Sequence, residues 1–230
     1  MPPEPLPIQP ASMAFSDLLA ATIHDMKNSL GLVLSGLEEI DKPARSDTRL
    51  QSLRFEAGRL NRQLIQLLAF YKMSQSRLTA HIEEHDVHEL LVESLLQART
   101  ILEAASLEAE VVADESLAWA LDRELISGVL AGAVFNAARH ARARLLLHAE
   151  THAGRLHLLV NDDGPGFPER LLRADGRGEG SIDFRTGSTG LGLSFAAMIA
   201  ALHRHGDACG TVTLGNGGPL GGACFTLVLP

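Results

Sequence analysis

The stretch VNDDGPGFP, residues 160–168, decides the interpretation of the second half of the chain. It closes an apolar run, RLHLLVND at 155–162, that alternates as a β-strand does and then ends in two acids and two close-set glycines. A partner strand is predicted over 142–150, with Ala153-Gly154 at the turn between them. Glycine lets backbone approach another group closely, and a carboxylate at a strand end can accept a hydrogen bond from an amine. This stretch is therefore a candidate binding site as well as a turn.

Two other segments have a similar character. VFNAARHA, residues 134–141, ends a predicted helix that Asp122 caps, and TGSTGLGLSFAAM, residues 186–198, opens a helix predicted over 190–205. A helix N-terminus offers N–H groups to an anion, and an asparagine oxygen can ligate Mg²⁺. Each segment alone also fits a simple turn or tight helix start, but the three together predict a nucleotide site.

Two common nucleotide-binding motifs do not describe this site. The sequence has no GxxxxGK[ST] phosphate loop. The glycine run at 187–192 follows a polar, glycine-rich segment, 174–189, that is predicted to be mobile, whereas a dinucleotide-binding fingerprint follows a strand. A different phosphate-binding fold is therefore expected.

The remaining pattern predicts an α+β domain with a mixed sheet covered by helices on one face. Further strands are predicted over 78–82, 107–113, 117–120, 208–215 and 222–230, and a helix over 87–102. His81, His85 and His88 fall at a predicted strand-to-helix junction, which disfavours a metal site there. His203 and His205 are expected at a helix C-terminus, where the helix dipole favours them.

The N-terminal third of the chain has a heptad pattern. Apolar residues recur in alternating steps of four and three on both sides of DKPARSD, residues 41–47, where Pro43 ends the first helix. Residues 12–76 are therefore predicted to form an antiparallel helical hairpin that dimerises into a four-helix bundle. The alternative is that the hairpin packs on the rest of its own chain. Residues 1–11 are proline-rich and predicted to be an extended tail.

His24 lies in this hairpin, within ATIHDMKNSLG at 21–31. It is one position off the apolar seam, with Asp25 adjacent and Asn28 one helical turn later on the same face. A histidine in a helix is often a packed side chain. This combination of an acid and an amide around an accessible imidazole instead favours a chemical role.

Composition restricts the classes of protein that fit. The chain has 230 residues and a net charge of −8, which argues against nucleic acid as a partner. No apolar run is long enough to cross a bilayer and no signal peptide is recognised, so no membrane insertion is expected. Cys209 and Cys224 are interpreted as reduced thiols, and a cytoplasmic location is predicted.

The order HDMKN, NAARHA, DDGPG, GSTGLGL resembles the sensor histidine kinases of two-component signalling, over residues 12–230. The resemblance implies a dimerisation and phosphotransfer hairpin at 12–76. It also implies an ATP-binding domain at 77–230, an α/β two-layer sandwich of the histidine-kinase/Hsp90-like type that gyrase and MutL share. ATP and Mg²⁺ are the implied cofactors, and a response regulator receiver domain is the implied partner.

The resemblance also implies roles for individual residues of the hairpin. His24 would be the phosphoacceptor and Asp25 the acid that takes its proton. Asn28 would hold the water that removes phosphate from the regulator.

In the ATP-binding domain, Asn136 would bind Mg²⁺ and Asp162 would accept a hydrogen bond from the adenine amine, with residues 174–189 as the ATP lid. The other implied nucleotide-site residues are Arg139, His140, Gly164, Gly166, Thr189, Gly190 and Gly192.

The sequence departs from the family pattern at several positions. Ser29 replaces a frequent proline, Gly132 a second asparagine and Ser188 a glycine, and Phe184 is all that remains of an aromatic segment before the lid. These departures keep a second interpretation open: a histidine phosphotransfer protein whose degenerate ATP-binding domain does not support autokinase activity. A serine-kinase anti-sigma regulator fits less well, because it needs no phosphoacceptor helix. The input signal is expected from a separate sensor protein, from the regulator, or from a stimulus sensed directly.

Overall fold

A computed structural model of the protein describes residues 78–172 and 191–230 continuously, and before them residues 26, 30, 32, 33, 57, 58, 60, 63–67, 69 and 71. These residues fall into two compact units. One contains 79–172 and 192–230, and the other contains the described residues from 26 to 78 together with Leu191. The predicted tail, most of the hairpin and the predicted lid at 174–189 lie outside the described residues.

The larger unit contains helices and strands in the order implied by the sequence. Its helices are α1 (Val87–Ala104), α2 (Arg123–His140), α3 (Glu169–Leu172) and α4 (Leu191–Leu202). Its strands are β1 (Glu83–Asp86), β2 (Glu108–Val112), β3 (Ala118–Leu121), β4 (Arg144–His152), β5 (Arg155–Asp162), β6 (Arg204–His205), β7 (Ala208–Cys209), β8 (Thr211–Asn216) and β9 (Ala223–Leu229). The predicted mixture of helices and strands in this part of the chain is confirmed.

Five strands form one mixed sheet in the order β2-β4-β5-β9-β8. Strand β2 pairs in parallel with β4, and the other neighbours are antiparallel. The β4–β5 hairpin turns at Ala153 and Gly154, both with positive φ, as the primed turns that suit twisted hairpins require. Two short pairs, β1–β3 and β6–β7, lie outside this sheet.

The core lies between one sheet face and the helices. Alternate residues of each central strand are buried: Leu145, Leu147 and Ala149 in β4; Leu156, Leu158 and Val160 in β5; Phe225, Leu227 and Leu229 in β9. Helix α1 contacts β2 and β4, helix α2 contacts β5, and the segment 195–200 of α4 is almost entirely buried. Buried apolar area of this kind is the main stabilising contribution in a domain of this size. The result is an α/β two-layer domain.

Both long helices begin at an aspartate that caps them. The Asp86 side chain accepts from the main-chain N–H of Glu89 at 2.7 Å, and Asp122 accepts from that of Leu125 at 2.9 Å. Each carboxylate satisfies an otherwise unpaired N–H in the first turn and lies at the positive end of the helix dipole. The predicted cap at Asp122 is thereby confirmed, and so is the strand-to-helix junction at His85 to His88.

The structure corrects three predicted elements. The first strand is at 83–86 and not at 78–82, because the segment that faces β3 is the one containing His85, opposite Trp119. Helix α4 ends at Leu202, so His205 lies in β6 and not in the helix. The strand predicted over 208–215 is divided at Gly210, whose N–H donates to the carbonyl of His203. A Cβ there would lie 2.4 Å from the carbonyl oxygen of Ala200.

His203 joins the end of α4 to the start of α2. Its side chain is 2% exposed, its Nε2 accepts from the main-chain N–H of Asp122 at 3.0 Å, and its Nδ1 lies 2.8 Å from the carbonyl oxygen of Ile199. An acceptor at Nε2 and a donor at Nδ1 describe a neutral ring. Burial lowers the pKa of His203 against the smaller opposing effects of the Ile199 hydrogen bond and the Asp122 charge. His203 thus lies at the end of the helix as predicted, but its imidazole is neutral and is not a cation stabilised by the helix dipole.

In the smaller unit, every described residue from 26 to 71 is helical, whereas Leu78 is not. Several of its large apolar side chains are about half exposed: Leu30, Leu32, Leu64, Ile65 and Tyr71. Within the described part of the chain, no helix is both long and apolar enough to cross a membrane.

Candidate nucleotide-binding site

Asp162 ends strand β5 on the buried side of the sheet. Leu156, Leu158 and Val160 precede it at alternate positions, all buried, and Asp162 continues that row with 4% of its surface exposed. A charge is costly to bury unless polar groups compensate it, so this position requires local hydrogen bonds.

Backbone groups supply those bonds from two directions. The Asp162 Oδ1 accepts from the N–H of Gly164 at 2.8 Å and from the N–H of Ala223 at 3.2 Å. Its main-chain oxygen accepts from the N–H of Gly222 at 3.0 Å. The two bonds to Oδ1 orient the carboxylate, so that an acidic group is held in one position at the end of β5.

Two glycines make this close arrangement possible. A Cβ on Gly164 would lie 2.4 Å from the carbonyl oxygen of His140 and 2.9 Å from Asp162 Oδ1. A Cβ on Gly222 would lie 2.4 Å from the Asp162 carbonyl oxygen and 2.6 Å from its Oδ1. Any side chain at either position would displace Asp162 or its hydrogen-bond donors.

Asn216, at the end of β8, holds the segment after the acids. Its Oδ1 accepts from the N–H of Phe167 at 2.7 Å, and its Nδ2 donates to the Phe167 carbonyl at 2.9 Å. Gly166, with φ +85°, passes so close that a Cβ would lie 2.7 Å from the Asn216 side chain. The predicted glycine at 166 thus has a physical reason. The contribution of Asn216 was not predicted, because its partner is 49 residues away.

The C-terminal end of α2 lies beside this strand end. Asp163 Oδ1 accepts from the N–H groups of Arg142 at 2.8 Å and Ala143 at 3.1 Å, just after the helix. Slight burial opposes the effect, but backbone hydrogen bonds from Ala143, Arg144 and Arg142 keep the pKa of Asp163 below its usual range. Asp163 therefore connects the NAARHA segment with the DDGPG segment. This role of Asp163 was not predicted.

Three predicted nucleotide-site residues occupy that helix end. Asn136, Arg139 and His140 are all exposed in the last two turns of α2. The backbone of His140 contacts Gly164, so the structure places this helix end next to the Asp162 carboxylate. A buried acid, closely packed glycine backbone and an exposed amide together fit a purine nucleotide and its metal ion.

The other predicted site residues are only partly described. Gly192 is exposed at the start of α4, and no atom lies within 4 Å of a Cβ built there. Thr189 and Gly190 lie outside the described residues, and so do His24, Asp25 and Asn28. Gly132, four residues before Asn136, likewise has nothing within 4 Å of a built Cβ.

This site belongs to a known class of ATPase domain. Residues 121–230 match the family described as histidine kinase-, DNA gyrase B-, and HSP90-like ATPase. This part of the chain is therefore a member of that family, whose domains bind ATP, and the chain is homologous to sensor histidine kinases. The resemblance drawn from the sequence is confirmed.

Particular relatives agree with this assignment. The sensor-like histidine kinase SenX3 of Mycobacterium tuberculosis is 25% identical over 224 residues, which are 93% of this chain and 53% of SenX3. The sensor protein RstB of Escherichia coli is 25% identical over 217 residues, 93% of this chain and 48% of RstB. The chain thus spans about half the length of these relatives.

Solved structures share the fold. The Acinetobacter baumannii histidine kinase AdeS aligns with a TM-score of 0.62 at 21% identity, covering 90% of this chain and 96% of the AdeS chain. Histidine kinase ThkA, solved in complex with the response regulator protein TrrA, aligns with a TM-score of 0.61 at 19% identity, covering 93% of this chain and 61% of the other.

Proposed function

We propose that the protein is a cytoplasmic, ATP-dependent protein histidine kinase that phosphorylates itself on His24. The observation that carries this proposal is the fixed, buried carboxylate of Asp162 beside the exposed end of α2 that bears Asn136. It occurs in a chain that also has HDMKN at 24–28 in a heptad segment. The homology to sensor histidine kinases supports the same function.

The chemistry assigns one task to each polar group. An imidazole nitrogen of His24 attacks the γ-phosphorus of ATP, a P–N bond forms, and the bond from phosphorus to the bridging oxygen of ADP breaks. The adjacent carboxylate of Asp25 takes the proton from the other ring nitrogen. Asp162 accepts a hydrogen bond from the adenine amine and so selects adenine over a base with a carbonyl there.

The metal-binding part of the proposal rests on Asn136. Its amide oxygen is a suitable ligand for Mg²⁺, a hard cation that takes few protein ligands and keeps several waters. Bound there, Mg²⁺ would offset the charge of the phosphates. Arg139 and His140, exposed on the same helix end, would lie beside the nucleotide.

The proposed partner is a response regulator. A carboxylate of its receiver domain would attack the phosphorus on His24, so that the P–N bond breaks and an acyl phosphate forms. The protein would also act as a phosphatase, in which Asn28 orients a water molecule that hydrolyses the acyl phosphate of the regulator. The complex of ThkA with TrrA is a structural neighbour that pairs a kinase with a regulator.

Dimerisation through residues 12–76 is also proposed. Leu30 and Leu64, both expected at the seam, are 50% and 49% exposed in the single chain. Leu32 and Ile65 are exposed to a similar extent, at 56% and 54%. Exposure of several large apolar side chains on one helical unit is unfavourable in water. Contact with the helix pair of a second protomer would bury them.

One observation favours a second function. Gly132 occupies a position of α2 where kinases often have asparagine, and its surroundings leave room for a side chain that is missing. A weakened nucleotide site would make the chain a phosphotransfer module, with His24 receiving phosphate from one regulator and passing it to another.

A labelling experiment tests the kinase. Purified protein is incubated with Mg²⁺ and γ-labelled ATP beside His24→Ala and Asn136→Ala, with His152→Ala as the control for removal of an exposed histidine elsewhere. The kinase predicts label on the native protein and on His152→Ala, and none on the other two. If the native protein is not labelled and does not bind ATP, the kinase proposal is contradicted and the phosphotransfer module is favoured.

A further inference from the structure

An apolar groove of about 350 Å³ lies between helix α1 and strand β2, away from the nucleotide site. Its walls are formed mainly by Val92, Leu95, Leu96 and Leu102 of α1 and by Ala109 and Val111 of β2. Leu96 is 60% exposed, the most exposed large apolar side chain among the described residues. An open apolar surface of this kind commonly marks a binding site.

Strand β2 is at the end of the five-stranded sheet, and among the described residues it pairs only with β4. The N–H of Glu108 donates to the carbonyl of Ala143 at 2.8 Å, on the β4 side. Alternate residues of a strand bond on opposite sides, so the N–H and C=O groups of Ala109 and Val111 face the open edge. Such an edge can accept another strand.

The side chains of β2 divide between two environments. Ala109 and Val111 line the groove, while Glu108, Glu110 and Val112 point to the opposite sheet face. A strand added at this edge would therefore place every second side chain over the groove. The side chains between them would lie beside Glu110 and the 44% exposed Val112.

The charge around this edge selects the added strand. Glu103, Glu108 and Glu110 are exposed there. The Arg99 guanidinium is paired with Glu103 at 2.6 Å, and the exposed Arg144 of β4 is opposite Glu108 in the strand register, so Glu110 is the carboxylate farthest from these two bases along β2. A second copy of β2 would bring glutamates opposite glutamates, which is unfavourable across a strand pair. The chain's own N-terminus does not fit either, because five of residues 1–10 are proline, which cannot donate to a strand ladder, and none is Lys or Arg.

We propose that the groove between α1 and β2 docks an extended segment of a partner protein in which apolar residues alternate with Lys or Arg. The apolar residues occupy the groove beside Leu96, the basic residues lie over Glu108 and Glu110, and the backbone bonds to Ala109 and Val111. Because β2 has five residues, the docked segment of the partner is expected to pair over about the same length. The site does not depend on histidine kinase activity.

The test uses two fluorescein-labelled heptapeptides, one alternating valine with lysine and the other alternating valine with glutamate. Binding is measured by anisotropy at low salt with the full chain, Leu96→Asp, Glu110→Lys, and Gln97→Asp as a matched control on the exposed side of α1. The valine–lysine peptide is expected to bind at least about tenfold more tightly than the valine–glutamate peptide. Leu96→Asp is expected to lose about tenfold or more, because a carboxylate would be desolvated in the groove.

The remaining two variants and an exchange measurement locate the contact. Gln97→Asp should bind like the native chain, and Glu110→Lys should reverse or abolish the preference between the peptides. Amide hydrogen exchange at Ala109 and Val111 should slow when the valine–lysine peptide is bound. Equal binding of both peptides, unchanged affinity in Leu96→Asp, or no binding up to ~1 mM would each overturn the proposal.

Discussion

Gly222 donates its N–H to the carbonyl oxygen of Asp162 at 3.0 Å, and its α-carbon leaves no space for a side chain beside the Asp162 carboxylate. The backbone of the β8–β9 connection thus forms one wall of the acidic end of β5. The position of the carboxylate depends on the absence of a single methyl group.

Gly222→Ala is therefore expected to destabilise the domain by about 1–3 kcal/mol, the usual cost of overpacking a buried position. A Cβ would lie 2.4 Å from a carbonyl oxygen and 2.6 Å from Oδ1, both held in place by other bonds. The free energy of unfolding in urea measures the effect. Gly215→Ala, in the preceding strand with nothing within 4 Å of its Cβ, should change it by less than about 0.5 kcal/mol. Equal changes in the two variants would contradict this account of Gly222.

Asp162→Asn is expected to weaken ATP binding while the domain stays folded. The new amide oxygen can keep the bonds from Gly164 and Ala223 at Oδ1, which turns the NH₂ group toward the position of the other carboxylate oxygen. A donor would then face the adenine amine in place of a charged acceptor, a loss of roughly 1.5–3 kcal/mol or about ten- to a hundredfold in affinity. Calorimetry with Mg²⁺ and ATP measures it, with exposed Glu150→Gln as the control. Native affinity in Asp162→Asn would exclude this role.

Asn216→Ala is expected to loosen the segment after the acids. Both hydrogen bonds to the Phe167 backbone are lost, each contributing about 0.5–1.5 kcal/mol net. Amide hydrogen exchange at Phe167 should accelerate. Asn216→Asp keeps the acceptor for that N–H but loses the donor to the carbonyl, so it should give intermediate protection. Protection at Phe167 that is the same in all three proteins would show that the Asn216 side chain does not hold the segment.

His203 makes stability depend on pH. Burial lowers its pKa in the folded state below the ordinary value of 6.5, so the unfolded chain takes up a proton first as the pH falls. The neutral ring contributes its full stability above pH 6.5, and that contribution is lost as the pH falls from 6.5 toward the folded-state pKa. His157, whose pKa is also lowered by burial, acts in the same direction.

Urea unfolding between neutral and mildly acidic pH measures this dependence. His203→Gln retains an acceptor for the Asp122 N–H and should flatten part of the pH dependence. A native pH dependence in His203→Gln would contradict the assignment of a neutral, buried ring.

Local patterns were sufficient to predict the elements around the site. The alternation in 155–162 and the turn at Ala153-Gly154 depend on neighbouring residues only, and both are found where they were predicted. The cap at Asp122 is similarly local, because its partner Leu125 is three residues away. The close spacing of acids and glycines in DDGPG was enough to identify Asp162, Gly164 and Gly166 as candidate site residues.

Contacts between distant segments were not predictable in this way. Leu78 and Ile82 have strand-like character, but β1 forms where Glu83–Asp86 can pair with Ala118–Leu121. The roles of Asn216 and Asp163 depend on partners that are 49 and at least 20 residues away, so neighbouring residues do not reveal them. Gly210 divides a strand because of a carbonyl in α4, which no local pattern reveals.

Autophosphorylation of His24 is tested most directly by locating the phosphoryl group after incubation with Mg²⁺ and ATP. Peptides prepared at neutral to alkaline pH, where a phosphoramidate persists, are sequenced by mass spectrometry. If the protein is a histidine kinase, acid-labile, alkali-stable phosphate is expected on the peptide that contains His24, and at limiting ATP much less of it is expected on that peptide from Asp162→Asn. Phosphate found on serine, threonine or another histidine, with His24 unmodified, would contradict the account.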